Sequence, residues 1–182
     1  ALQGGASSAA DVTAQRVSVS GALVGPRIDT FRTGSAPLVE FGAGSYLMVW
    51  ADDAFHPNDD LVGAFVSPAG VLGSPFGIST GAQPEERAGL AFDGANFLVV
   101  YTTVIVPASG TRGVRGRFVS PSAVVGSAID ISAGAGAHGL DGVAFGGGRY
   151  LVAWTDDADD ATVRARLVFP SGALGTLLTL DA

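Results

Sequence analysis

The chain contains no cysteine and no lysine, and Met48 is its single methionine. Without cysteine there is neither a disulfide framework nor thiolate chemistry, although export remains open to it. All ten basic side chains are arginines, set against 17 acids. A net charge of -7 with no basic cluster removes the electrostatic footprint of a nucleic-acid binder. Charged residues reach only 15%, below the roughly 25% of an ordinary soluble domain. Long hydrophobic runs are missing as well. The most apolar stretch, Phe97 to Val106, carries two threonines and is about half the roughly 20 residues of a helical membrane span, so no span is expected. No ten residues hold helical spacing without an interrupting glycine or proline. The chain begins at Ala1 with no signal-peptide pattern, as expected of a processed protein or a fragment.

What is present is 47% hydrophobic with 27 glycines and a mean hydropathy of +0.39, which excludes general disorder. At 182 residues, one domain is the default. Self-similarity organises it. Tyr46-Leu-Met-Val-Trp50 returns as Phe97-Leu-Val-Val-Tyr101 and as Tyr150-Leu-Val-Ala-Trp154, at intervals of 51 and 53 residues. Each copy follows a short strand and a tight turn: Val39 to Gly44, Leu90 to Ala95 and Val143 to Gly148. Each precedes a second hairpin: Ala64 to Gly73, Arg117 to Gly126 and Arg166 to Gly175. A fourth copy of that second hairpin, Arg16 to Gly25, opens the chain.

These segments read as strands, being short, rich in Val, Leu and aromatics, and bounded by Gly, Pro, Asp and Ser. Asp93-Gly94 and the glycine pairs provide the positive φ that tight hairpins require. The Tyr-Leu-Val-Ala-Trp type does not alternate, which predicts a strand covered on both faces. Four strands per roughly 50 residues, one of them buried on both sides, is the unit of a β-propeller blade. The fold class expected is therefore all-β and propeller-like. A single repeat domain spans 1–182, with an orphan outer hairpin at 12–30 and blades at 31–80, 82–132 and 133–182. A β-trefoil or β-prism is the alternative, since both also contain three four-stranded repeats.

The residues carry a resemblance too. Phe92-Asp-Gly-Ala-Asn-Phe-Leu-Val-Val-Tyr101, Arg117-Phe-Val-Ser-Pro and the ending Gly73-Ser-Pro-Phe-Gly-Ile-Ser79 resemble propeller-type repeats of exported bacterial proteins, over residues 12–182. The resemblance implies an extracellular or cell-surface repeat module and brings no catalytic residues with it.

Three and a half blades do not close, because propellers use about four to eight. Completion by a second copy, by the remainder of a longer chain or by another chain is therefore expected; a hairpin that serves as an N-terminal cap is the alternative. The hairpin at 12–30, with Val17, Val19, Leu23, Val24 and Ile28 as its apolar positions, is the segment expected to pack on that partner.

Motifs with a chemical look are few. Gly77-Ile-Ser-Thr-Gly81 fits a nucleophile elbow, but it ends a strand where that motif needs a following helix. Gly134 to Gly139 fits a dinucleotide loop, again with a strand to follow. His56 and His138 are too few, and too far apart in the repeats, for a triad or a nitrogen-rich metal centre. Acidic loops are the remaining candidate. Asp52, Asp53, Asp59, Asp60, Asp156, Asp157, Asp159 and Asp160 make up eight of the seventeen acids, and clustered oxygens of this kind could hold Ca²⁺. Solvated turns are the plain alternative, and no other cofactor is expected. Trp50, Tyr101 and Trp154 stand at equivalent positions, as packing between blades requires, and Arg112, Arg115, Arg117, Arg164 and Arg166 read as a solubilising stripe on outer strands. The sum is a non-enzymatic binding or scaffold module. A lectin or adhesin domain with a glycan or protein ligand is the second reading, and a propeller hydrolase or lyase the third.

Overall fold

The computed structural model describes residues 10–53, 60–106, 111–132, 137–156 and 162–180. Among them every regular element is a strand and there is no helix, so no helix is long and apolar enough to cross a membrane. Three antiparallel sheets follow one another along the sequence. Sheet I holds β1 (Ala10–Val17), β2 (Leu23–Gly42), β3 (Ser45–Asp52), β4 (Asp60–Val66) and β5 (Phe76–Ser79). Sheet II holds β6 (Glu85–Phe92), β7 (Phe97–Val106), β8 (Thr111–Val119) and β9 (Ile129–Asp130). Sheet III holds β10 (Ala137–Gly146), β11 (Arg149–Asp156), β12 (Thr162–Val168) and β13 (Leu174–Thr179). Each strand pairs with its neighbour in sequence, and the array is open rather than closed. No sheet curls into the single barrel that a trefoil would need.

Turn chemistry sets these boundaries. Ala43-Gly44 and Gly147-Gly148 form two-residue loops with positive φ at both positions, the geometry whose twist suits a hairpin. In sheet II the Asp93 carboxylate closes the loop instead, accepting from the N–H groups of Ala95 and Asn96 at 2.7 and 2.6 Å. The second turn recurs four times. Backbone bonds of 2.8–2.9 Å close it at Ser18–Ala22, Ser67–Val71, Ser120–Val124 and Phe169–Ala173. Its left-handed position is filled by Gly21, Gly70, Ala123 and Gly172.

The sheets stack face against face. β3, β7 and β11 each present one row of residues forward along the chain and one row back. Leu47 and Val49 of sheet I meet Phe97, Val99 and Tyr101 of sheet II in one buried cluster. Leu98 and Val100 of sheet II meet Tyr150, Val152 and Trp154 of sheet III in another. Strands β2, β6 and β10, each the partner of the sheet's most buried strand, lie side by side. Burying one such Leu or Val is worth roughly 1.5–3 kcal/mol, so these two seams carry much of the fold. Trp50, Tyr101 and Trp154 are all buried within these clusters or their counterpart on sheet I, as their equivalent spacing predicts.

Two sequence expectations need correction. The hairpin at 12–30 is not separate from the repeat after it. The boundary expected at residue 31 falls inside β2, which pairs with β1 as far as Gly34 and with β3 from Gly34 onward. Positive φ at Phe31 and Ala36 and a register shift after Ser35 let one strand change partners without ending. Gly34 tolerates the crossing because a Cβ there would lie 2.2 Å from the Ala51 carbonyl oxygen. The hairpin then folds back on its own sheet I, where Val12 joins Met48, Trp50, Val62 and Ala64. Ile28 is buried, whereas Val17, Val19, Leu23 and Val24, the positions expected to pack on a partner, are exposed near the tip in the single chain.

The second correction concerns two-sided burial. It holds for β3 and β7 but not for β11, where Tyr150, Val152 and Trp154 are buried and Leu151 stays 43% exposed. The reason is position, since no sheet among the described residues stacks on the forward face of sheet III.

Candidate functional site

Polar groups are buried at one end of the sheets, where β3 leads to β4, β7 to β8 and β11 to β12. Asp52, Asp60, Ser79, Glu85, Thr102, Thr103 and Asp156 all sit there, each under 9% exposed. Strand ends explain the choice of residues. Carboxylates and hydroxyls can satisfy the groups that leave the ladder at an edge, but each must find partners once water is excluded.

Most of them do. The Trp50 indole N–H donates to Asp52 Oδ2 at 3.2 Å, and the Arg32 guanidinium lies 3.8 Å from the same oxygen. Arg164 Nε lies 3.0 Å from Asp156 Oδ2. Arg112 grips Glu86 with both of its terminal nitrogens, one at 2.8 Å from Oε1. The carboxylate in turn holds the Arg112 guanidinium above its ordinary value, against the opposing effect of burial. Thr102 Oγ1 donates to the Glu86 carbonyl at 2.7 Å.

Glu85 differs. It points from β6 toward sheet I and is 3% exposed. The Ser79 hydroxyl donates to its Oε1 at 2.7 Å, while its Oε2 has no hydrogen-bond partner among the described residues. Burial pushes the Glu85 carboxyl up to about 7; the Ser79 bond opposes this, the Asp60 carboxylate adds to it, and Arg117 and Arg115 oppose it. The residue borders a cavity of about 140 Å³ with Ser35, Ala36, Ala51, Leu61, Glu86 and Ala88. Near neutral pH such a carboxyl is present in both its protonated and its ionised form. Ser79 is the serine of the elbow-like motif, yet its hydroxyl is buried and committed to Glu85, and no helix follows.

A larger cavity, about 570 Å³, lies between the β1–β2 hairpin and sheet I, with Val17 and Ile28 on the hairpin side and Leu38, Val39, Tyr46 and Met48 on the sheet side. Arg16 stands at its border and ties the hairpin down through Nη1 to the Pro68 carbonyl at 2.9 Å. The cavity has a simple cause: two strands lie over a face four strands wide.

The eight acids proposed as calcium ligands are placed unevenly. Asp52, Asp60 and Asp156 are buried, with the ion pairs just given for the first and third, and Asp60 lies near Glu85. Asp53 is exposed. Asp59, Asp157, Asp159 and Asp160 lie outside the described residues, as does His56, while His138 falls on β10. Among the described residues no three His, Asp or Glu side chains converge to hold a metal ion. The arginine stripe is corrected from a solubilising row to a set of ties. Arg115 bonds Asp130 at 2.6 Å, Arg117 the Gly126 carbonyl at 2.9 Å, and Arg166 the Gly175 and Ile131 carbonyls, both at 2.9 Å. The Arg166–Ile131 bond joins sheet III to sheet II. Tyr150 makes a second such tie, donating to the Asn96 carbonyl at 3.0 Å, and burial followed by the Asp93 carboxylate raises its phenol well above the ordinary value.

Sequence reasoning missed Glu85. Its signal was faint but present: one of three glutamates in the chain, six residues after a serine at a strand end. Comparison with known proteins gives no further guide, for no family model, no curated protein and no solved structure matches the chain.

Proposed function

We propose that the chain is a propeller-type repeat module and, more particularly, a non-enzymatic binding or scaffold module that works outside the cell. The observation that carries the class is the fan arrangement: three equivalent sheets stacked face to face with β2, β6 and β10 adjacent at one side. A propeller blade packs in this way, with its first strand nearest the axis. Fold alone assigns no activity, so the argument against an enzyme rests on the site. Its carboxylates face arginines, an indole or a serine inside the protein. The one serine in a nucleophile-like motif is buried against Glu85. Export is carried only by the resemblance of the repeats to those of exported bacterial proteins.

Turnover is the test. The purified chain is screened on ester, phosphoester and glycoside substrates beside Ser79→Ala and Glu85→Gln. The module reading expects no turnover above buffer in any of the three. Turnover that either substitution abolishes would overturn it.

A further inference from the structure

Two faces of this chain leave apolar residues exposed: the backward face of sheet I, which the hairpin covers only in part, and the forward face of sheet III. In sheets II and III, the residues that face back along the chain are covered by the sheet before. Leu90 and Phe92 pack into the first seam and Phe97 is 0% exposed; Val143 and Phe145 pack into the second and Tyr150 is 0% exposed. Their equivalents in sheet I are Val39, Phe41 and Tyr46, and these are 62%, 52% and 36% exposed. The hairpin packs on Met48 and Trp50, but over Val39 and Tyr46 it leaves the cavity of about 570 Å³ in place of contact. At the other end of the chain, Leu151 and Ala153 of sheet III repeat Leu47/Val49 and Leu98/Val100, the residues that sheets I and II push forward into their seams. Here Leu151, Val163 and Leu178 are 43%, 39% and 41% exposed.

We infer that a second copy of this chain is the occupant: the forward face of its sheet III docks on the backward face of sheet I, over Val39, Phe41 and Tyr46. This rests on the repeat-module reading and names the partner for it. Complementarity selects the occupant, because the two faces already join correctly twice within the chain. The exposed residues named on both faces are uncharged, which keeps the desolvation cost of bringing them together low. The contact is heterologous, with different surfaces on the two copies, and so it can propagate or close a ring. The β1–β2 hairpin stands where β12 and β13 of the arriving sheet would lie, and it is displaced on docking. Its fit is loose, given the cavity of about 570 Å³ beneath it. The positive-φ positions Phe31 and Ala36 are where β2 bends away. The hairpin is thus an internal cap that competes with the second copy.

Sedimentation velocity on the full chain tests this with two variants and their mixture. Leu151→Arg spoils the forward face and Val39→Arg the backward one. Each alone is expected to weaken association about tenfold or more. Mixed in equal amounts they are expected to form a dimer, because each variant retains the face that the other lacks. That dimer also demonstrates that both variants are folded. Val12→Ala, which loosens the cap, is expected to raise the associated fraction. A monomer at every soluble concentration, for the wild type and Val12→Ala alike, overturns the docking while leaving the turnover test of the module untouched. A Val39→Arg chain that associates like the wild type, with Leu151→Arg monomeric, shows sheet III pairing with itself and overturns it equally.

Discussion

β7 and β11 carry nearly the same five residues, Phe97-Leu-Val-Val-Tyr101 and Tyr150-Leu-Val-Ala-Trp154, yet they have different surroundings. Every residue of the first is at most 1% exposed. In the second the burial alternates, and Leu151 looks out at 43%. The strands share backbone, pairing and turn chemistry; what separates them is a neighbour on the forward side. A strand that does not alternate in sequence is therefore prepared for two neighbours, whether or not its own chain supplies both. The difference between Leu98 and Leu151 measures what a seam is worth.

Substitution gives the largest effect. Leu98→Ala leaves a cavity in the second seam and is expected to cost about 2–5 kcal/mol, while Leu151→Ala in the monomer costs under about 1 kcal/mol. Urea denaturation of both variants checks this, and equal costs would mean that the forward face of sheet III is covered.

Next come the two glutamates of β6, which sharpen the contrast between the seams. Glu85 faces sheet I with its carboxyl raised to about 7, whereas Glu86 is gripped by Arg112. A carboxyl raised above its unfolded value of about 4.5 holds its proton in the folded state at a pH where the unfolded chain has lost it. Its contribution is therefore fully present below about pH 4.5 and is lost as pH rises through about 7. The expected fall over that window is on the order of 2–3 kcal/mol. Glu85→Gln should flatten this slope and leave the protein more stable than wild type at pH 8. Glu86→Gln should leave the slope in place. Melting temperatures between pH 4.5 and 8 decide between them, and an unchanged slope in Glu85→Gln would place the titrating group elsewhere.

A smaller effect is expected at the repeated turn. Gly21, Gly70 and Gly172 fill its left-handed position, but the third copy in chain order has Ala123 at φ 63°. A side chain there costs about 1 kcal/mol, so Ala123→Gly should stabilise by roughly that amount despite the added freedom of the unfolded chain. Thermal melts would show it as a rise of a few degrees. Smallest of all is Arg115→Ala, which removes a half-exposed pair with Asp130 and should cost at most about 1 kcal/mol, an effect that shrinks further in high salt.

Much of this was legible in the residues. Short apolar runs between glycines and aspartates set the strands, and the Trp50/Tyr101/Trp154 spacing marked the seams. Gly44, Gly94 and Gly148 marked the hairpins, because positive φ is a local demand that a local residue must meet. Glu85 was hidden because a glutamate at a strand start looks solvated, and its burial comes from sheet I, including Ser35, Ala36, Ala51 and Leu61 well before it in the chain. Asp52 and Asp156 looked like free ligands for the same reason, as Arg32 and Arg164 reach them only after the strands pair.

The sequence by itself determined the period, the strands, the turns and the all-β class, since each depends on a few neighbouring residues and on side chains that alternate or do not. Only the tertiary structure decided that β2 belongs to two pairings at once, that the first hairpin covers its own sheet, and that the last sheet has a bare face. Those outcomes depend on which surfaces meet. The repeat that makes every copy locally alike also makes local sequence unable to tell an inner sheet from a terminal one.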